Sequence, residues 1–207
     1  MYNRIPLFPL ELVIFPESKY PLYIFEERYK ILIGECLKNN SGFIISSVIN
    51  DKISVIGTIV KVSKVLKKYE NGEMEIIVSG ASRIKINAID NSEVGYLVAD
   101  CTEIKEATRE INEKIKLNVK SNFEILIEMS GINLSRAFWE SYDKTKYLSF
   151  KVAEKIGMDL IQKQVLLSLE GENERLQFVL EYLERIIREN LKESDFKKLL
   201  LGDGYIN

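Results

Sequence analysis

The stretch that decides the fold runs Thr58-Ile59-Val60-Lys61-Val62-Ser63-Lys64-Val65-Leu66, then Tyr69-Glu70-Asn71-Gly72-Glu73, then Met74-Glu75-Ile76-Ile77-Val78-Ser79. In its first arm Val60, Val62 and Leu66 fall on one face, with Lys61, Ser63 and Lys67 on the other. That is the period-two signature of a half-buried strand. In the second arm Met74, Ile76 and Val78 share a face. Asn71-Gly72 between them predicts a type I′ hairpin turn, whose two central residues need positive φ. Gly80-Ala81-Ser82 predicts a further turn. Ile84, Ile86 and Ala88 then alternate with Arg83, Lys85 and Asn87, and another strand follows from Tyr96 to about Ile104. The expectation is an antiparallel meander with one buried and one wet face.

Upstream, the pattern predicts strands over Tyr20–Phe25 and Gly42–Ile49 with a helix from about Glu26 to Lys38 between them, carrying Tyr29, Leu32, Ile33 and Leu37 at helical spacing. One helix among many strands suggests a small, partly closed barrel plugged or capped by it, because closure removes exposed strand edges. All four prolines, Pro6, Pro9, Pro16 and Pro21, lie within the N-terminal stretch. Proline cannot donate to a ladder, so edge strands, bends or loops are expected there.

The period changes near Lys105. Ile111, Ile115, Val119, Phe123 and Ile127 step by four, with Gly131 as the expected C-cap. Shorter helices are expected over about Leu134–Tyr142 and Lys146–Ile156, and Asp159 can cap another that ends near Leu169. The last starts near Glu172, with Leu176, Val179, Leu180, Leu183, Ile187 and Leu191 as its apolar stripe. The chain is thus expected to be α+β, with a β-barrel domain over residues 1–105 and an α-helical bundle over 106–207.

Composition narrows the chemistry. With 207 residues, 46% hydrophobic and 29% charged, the chain can bury a core. The net charge of −2, balanced in both halves, disfavours nucleic acid and anionic lipid as partners. There is no histidine, which excludes Ser-His-Asp and Cys-His catalysis and every zinc site that contains histidine. Cys36 and Cys101 are expected as buried free thiols. No apolar run approaches the ~20 residues of a membrane helix. Met1-Tyr2-Asn3-Arg4-Ile5-Pro6 does not read as a signal peptide, so a cytoplasmic location is expected.

No glycine pattern matches a phosphate-binding loop; the closest pair is Gly202 and Gly204. Three SxxK matches, Ser82/Lys85, Ser141/Lys144 and Ser194/Lys197, lack the partner motifs of Ser-Lys enzymes. The carboxylates of Glu26-Glu27 and of Glu170, Glu172 and Glu174 are explained by helix starts. Lys61, Lys64, Lys67 and Lys68 beside Tyr69 resemble a backbone-tracking groove for RNA, but Glu70, Glu73 and Glu75 are expected to pair with them across the hairpin. No cofactor or metal is expected.

Ile5-Pro6-Leu7-Phe8-Pro9-Leu10, Val13-Ile14-Phe15-Pro16 and Leu22-Tyr23-Ile24-Phe25-Glu26-Glu27-Arg28-Tyr29 closely resemble the opening of the Lon protease N-terminal (substrate-binding) domain family. The resemblance continues through Gly57-Thr58, Asn71-Gly72, Gly80-Ala81-Ser82-Arg83 and Tyr96-Leu97, and reaches Gln164-Val165-Leu166-Leu167 and Glu174-Arg175-Leu176, where stand-alone bacterial members are the models. It implies a PUA-like β-barrel followed by a helical bundle. It also implies a non-enzymatic polypeptide-binding module without the ATPase and peptidase domains that follow in full-length Lon. By the same resemblance Phe15, Pro16 and Phe25 are candidates to contact an apolar peptide, and Glu26, Arg28, Tyr29 and Arg83 are structural motif residues. The implied partners are unfolded or apolar polypeptide segments, bound in a groove between barrel and bundle, with a separate protease or chaperone to receive them and a homo-oligomer allowed. RNA binding, and a small ligand or undescribed carboxylate chemistry in a cleft, are the alternatives.

Overall fold

A computed structural model describes residues 1–106 and 110–189. Leu191, the Ser194/Lys197 pair, and Gly202 with Gly204 lie outside the described residues. The chain divides into two compact units, the first Met1–Lys105 and the second beginning at Glu106.

The first unit contains β1 (Tyr2–Leu10), β2 (Lys19–Ile24), α1 (Glu27–Asn39), β3 (Phe43–Ile49), β4 (Lys52–Ile53), β5 (Ile56–Lys68), β6 (Met74–Asn91) and β7 (Leu97–Glu103). The sheet runs β1-β7-β6-β5-β3-β4, with β2 on β6, and β1 also pairs with β3, so the path returns to the strand on which it began. That β1–β3 pairing is parallel, Leu7 opposite Ile44 to Leu10 opposite Ser47. It lies outside the expected meander, whose pairings β5–β6 and β6–β7 are antiparallel. β1 pairs with β7 through Tyr2–Leu7 and with β3 through Leu7–Leu10. Each half therefore has a different unpaired flank, to which Pro6 and Pro9 can turn the nitrogen that has no hydrogen.

Three local expectations need correction. The hairpin loop is not type I′: Gly72 has φ +82° but Asn71 is not among the positive-φ residues. Gly72 N–H donates to the Tyr69 carbonyl (3.0 Å), and Tyr69 N–H to the Glu73 carbonyl (2.9 Å). This is a three-residue loop with a type I turn closed by a left-handed glycine. Next, Gly80-Ala81-Ser82 does not turn the chain; β6 runs straight through it. Val60 faces Gly80 and Ile59 faces Ser82, leaving Ala81 as a bulge. A Cβ on Gly80 would lie 2.1 Å from the Phe15 carbonyl oxygen, so the glycine serves a close approach. Last, further register shifts between Val62/Lys64 and Val65/Lys67 change the phase of β5. Leu66, expected on the buried face, is instead 47% exposed.

Alternation along the strands feeds two clusters. Phe8, Ile45, Val60, Ile76 and Val98 pack with Tyr29, Leu32, Ile33 and Cys36 of α1. Their neighbours Leu7, Ile44, Ile84, Ala99 and Cys101 form a second cluster. Cys36 and Cys101 are buried free thiols. Leu37, read as part of the α1 core stripe, is exposed.

The second unit, as described, contains α2 (Glu113–Ser130), α3 (Arg136–Lys144), α4 (Leu148–Ala153), α5 (Leu160–Ser168) and α6 (Glu172–Arg188). Asn112 caps α2, accepting from Lys114 N–H and Ile115 N–H, and Gly131 ends it in the left-handed conformation. Asp159 and Gln162 form a capping box on α5. Leu176, Val179, Leu180 and Leu183 of α6 are buried, and Ile186 takes the core position expected of Ile187, which is half-buried. Arg175 is fully buried. It donates to Glu172 (2.9 and 3.1 Å), Glu106 (2.8 Å) and the Leu169 carbonyl (3.2 Å). Glu172 also accepts from Ser149 N–H and Oγ–H at the start of α4. Burial pushes the Glu172 carboxyl above the usual glutamate value, and these donors pull it back part of the way. A buried charge held this completely fastens α4 to α6 and has no free valence for chemistry.

Candidate functional site

Several exposed apolar side chains of the first unit lie where β2 runs into α1 and along the β5–β6 hairpin. Ile24 is buried, so the alternation of β2 sends Tyr23 and Phe25 outward, 50% and 58% exposed. Their rings lie 6.1 Å apart, and Tyr69 meets Tyr23 edge-on at 6.2 Å. Tyr23 faces Glu75 across β6, and Glu75 faces Lys67 on β5. The hydroxyls donate to carboxylates, Tyr23 to Glu73 and Tyr69 to Glu75. The bond to Glu73 pushes the Tyr23 phenol up to about 12 and holds the Glu73 carboxyl below its usual range. Lys67 Nζ sits 4.3 Å from the Tyr69 ring centre, a cation–π contact. The glutamates thus orient aromatic rings; the ion pairs expected between them and Lys61, Lys64, Lys67 and Lys68 do not form among the described residues, although Lys67 stands opposite Glu75 in register.

Beside this patch, a groove of about 440 Å³ lies between α1 and the hairpin. α1 buries Tyr29, Leu32, Ile33 and Cys36 in the core. Its next face presents Ile31 and Leu37 to the groove, opposite Val65 and Met74. Lys30 Nζ donates to Glu27 (3.1 Å) and to the Asn71 carbonyl (3.0 Å), fastening the helix to the hairpin tip. Gly34 lines the groove, and a Cβ there would meet nothing within 4 Å.

The residues singled out in the sequence fall in two neighbourhoods. Phe25, Glu26, Arg28 and Tyr29 belong to the patch and the α1 start. Arg28 donates through Nε (3.1 Å) and Nη2 (2.8 Å) to Glu26, and its guanidinium lies 4.7 Å from the Tyr29 ring centre. Tyr29 stacks on Phe8 with ring centres 3.8 Å apart. Phe15, Pro16 and Arg83 lie elsewhere. Phe15 is fully buried and Pro16 is buried too, which corrects their reading as peptide contacts: neither has surface to offer. The reason is the stitching of their segment onto the sheet. Ser18 donates to the Phe15 carbonyl through N–H (3.2 Å) and Oγ–H (2.6 Å), and Thr58 Oγ–H donates to the Ile14 carbonyl (2.6 Å). Arg83 is 1% exposed, on β6 opposite Thr58. Tyr23, Ile31 and Val65 were not singled out. Their signal was an apolar residue one step off the core phase, which only the true register reveals.

Of the SxxK pairs, Ser141 Oγ–H donates to the Phe138 carbonyl (2.7 Å). Ser82 and Lys85 are three apart on a strand, which sets them on opposite faces. Among the described residues no group of three or more Cys, Asp or Glu could hold a metal ion, and no helix is long and apolar enough to cross a membrane.

A mixed sheet that returns on itself around one helix, with helices after it, defines a class of domain seen in solved structures. The Lon N-terminal domain protein from Xanthomonas campestris superposes with a TM-score of 0.68 at 21% identity, covering 87% of this chain and 98% of that one. The N-terminal domain of the Mycobacterium avium complex Lon protease gives 0.66 at 20%, covering 88% and 98%. The chain belongs to the ATP-dependent protease La (LON) substrate-binding domain family, whose model matches residues 4–185. Among full-length relatives, the Lon proteases of Vibrio parahaemolyticus and Brucella suis are 24% and 26% identical over 87% and 89% of this chain. The chain spans 24% of the length of each.

Proposed function

We propose that the chain is a non-catalytic polypeptide-recognition module that holds exposed apolar segments at the Tyr23–Phe25 patch and the adjoining groove. The observation that carries this is Phe25: a large apolar ring 58% exposed and braced by Tyr23, two residues before Glu27, which lines the groove. An aromatic side chain kept in water by the fold is a ready anchor, and burying it contributes about 1.5–3 kcal/mol before ordering costs. The family's description as substrate-binding and the naming of the relatives as proteases support a polypeptide client, handed on to a separate protease or chaperone. The first unit is read as a small PUA-like β-barrel, in keeping with its returning sheet, and the second as a helical bundle. The compartment is read as the cytoplasm. The absence of histidine, and a Ser141 hydroxyl engaged with a carbonyl, favour recognition over catalysis.

The test is binding of an unfolded, fluorescently labelled polypeptide by the full chain, its Phe25→Ala variant and a Gly34→Phe variant that fills the groove. Saturable binding weakened about tenfold by either change, with unaltered melting temperature, is the expected result. Wild-type binding that both variants leave intact moves recognition away from this site.

A further inference from the structure

β3 pairs with β5 only through Thr58, Ile59 and Val60, whereas β6 accompanies β5 from Ile56 to Lys68. From Lys61 to Lys68 one edge of β5 therefore meets no strand among the described residues, and residues 63–68 are exposed. Such an edge is a row of backbone donors and acceptors waiting for a partner. Four of its eight residues are lysine, and two bulges interrupt it. Both devices keep an edge from pairing with itself, since a second copy would bring lysine against lysine. They do not oppose a strand of the opposite charge. Lys61, Lys64 and Lys68 form no ion pair among the described residues, while Lys67 lies over Tyr69. The edge also borders the groove, where Val65 faces Ile31 and Leu37.

We infer that the open edge of β5, residues 61–68, is a strand-addition site for an extended polypeptide segment that carries acidic side chains alongside apolar ones. The inference rests on the polypeptide-recognition reading and adds to it the mode of binding and the class of client. Guest backbone supplies the alternating donors and acceptors that the edge lacks, guest carboxylates meet the lysines, and guest apolar side chains enter the groove. A phosphodiester chain offers acceptors alone, and Glu70, Glu73 and Glu75 stand beside the lysines, so the edge suits peptide better than RNA.

The experiment uses the full chain and short labelled peptides of alternating valine and glutamate, the valine–lysine counterpart, and acidic versions N-methylated on one or the other alternating set of residues. The acidic peptide is expected to bind at least about tenfold more tightly than the basic one at low salt. N-methylation of the set that faces β5 abolishes binding while the other set tolerates it, and amide exchange slows at residues 61–68. The Lys64→Glu/Lys68→Glu variant reverses the charge preference. Equal binding of both N-methylated peptides, protection confined to other residues, or preference for a single-stranded RNA oligomer over the acidic peptide overturns strand addition. If unfolded polypeptide still binds and still responds to Phe25→Ala, only this inference falls; if it does not bind either, the recognition reading falls with it.

Discussion

Tyr96 shows how one hydroxyl fixes an element and sets a pH limit. It lies just before β7, buried, and donates to Glu35 of α1 at 2.6 Å. Burial first, and then the hydrogen bond to Glu35, push its phenol from 10.0 up to about 12. Between those values the folded chain keeps a proton that the unfolded chain has released. The stabilisation is therefore complete below pH 10 and is lost as pH rises through 12. Urea unfolding measured from pH 9 to 12 should show stability falling, and Tyr96→Phe should flatten the fall while lowering stability at neutral pH. An unchanged slope in the variant would assign the alkaline loss to the other raised groups, Tyr2, Tyr23, Tyr29 and Tyr142 and the buried thiols of Cys36 and Cys101. The same residue-by-residue view separates the site candidates. Phe15 and Phe25 stand in similar apolar runs beside prolines and glutamates, yet one is fully buried and the other is in water. What separates them is Ser18, Thr58 and Gly80; the last two are distant in sequence from Phe15, so periodicity does not encode their approach to its segment.

Two glycines carry opposite lessons at the scale of elements. Gly72 is needed for its φ of +82°, while a Cβ there would meet only Lys30 Cδ at 3.6 Å. Gly80 is needed for space, against the backbone of Phe15 and Pro16. Gly72→Ala should cost about 1 kcal/mol, largely recovered by Gly72→Asn because asparagine tolerates the left-handed region. Gly80→Ala should cost about 2–3 kcal/mol with no rescue by asparagine, since backbone must move. Chemical denaturation of the four variants checks this, and rescue at Gly80 by asparagine would turn the explanation back to a turn conformation. Both glycines read as turns in the sequence, because glycine marks unusual backbone and close approach with the same letter. The strands themselves were legible: β2, β3, β5 and β7 and the five helices among the described residues of the second unit lie within a few residues of their expected places. The phase of β5 beyond Val62 was not, because a bulge shifts every later side chain to the other face. Val65 and Leu66, which line the candidate edge, became visible only after that shift.

At the scale of the molecule the first unit carries two apolar clusters of its own. Both apolar clusters draw all their residues from positions 5–101. The β1–β3 pairing joins the first strand to the middle of the chain, so the sheet returns on itself before Lys105. β1 closes the circuit by pairing with β7 and with β3, and the lysine-bearing stretch of β5 is among the strand edges that meet no partner among the described residues. If recognition is as proposed, its parts, Phe25, the groove and the β5 edge, all lie before Lys105. The fragment 1–105 is expected to unfold in a single cooperative urea transition, with a strand-dominated circular dichroism spectrum. It should bind unfolded polypeptide within about threefold of the full chain, a difference of less than 1 kcal/mol, and lose that binding on Phe25→Ala. A fragment that unfolds without cooperativity would make the helices part of one folding unit with the sheet. A fragment that folds but binds far more weakly would assign the recognition surface to residues beyond Lys105.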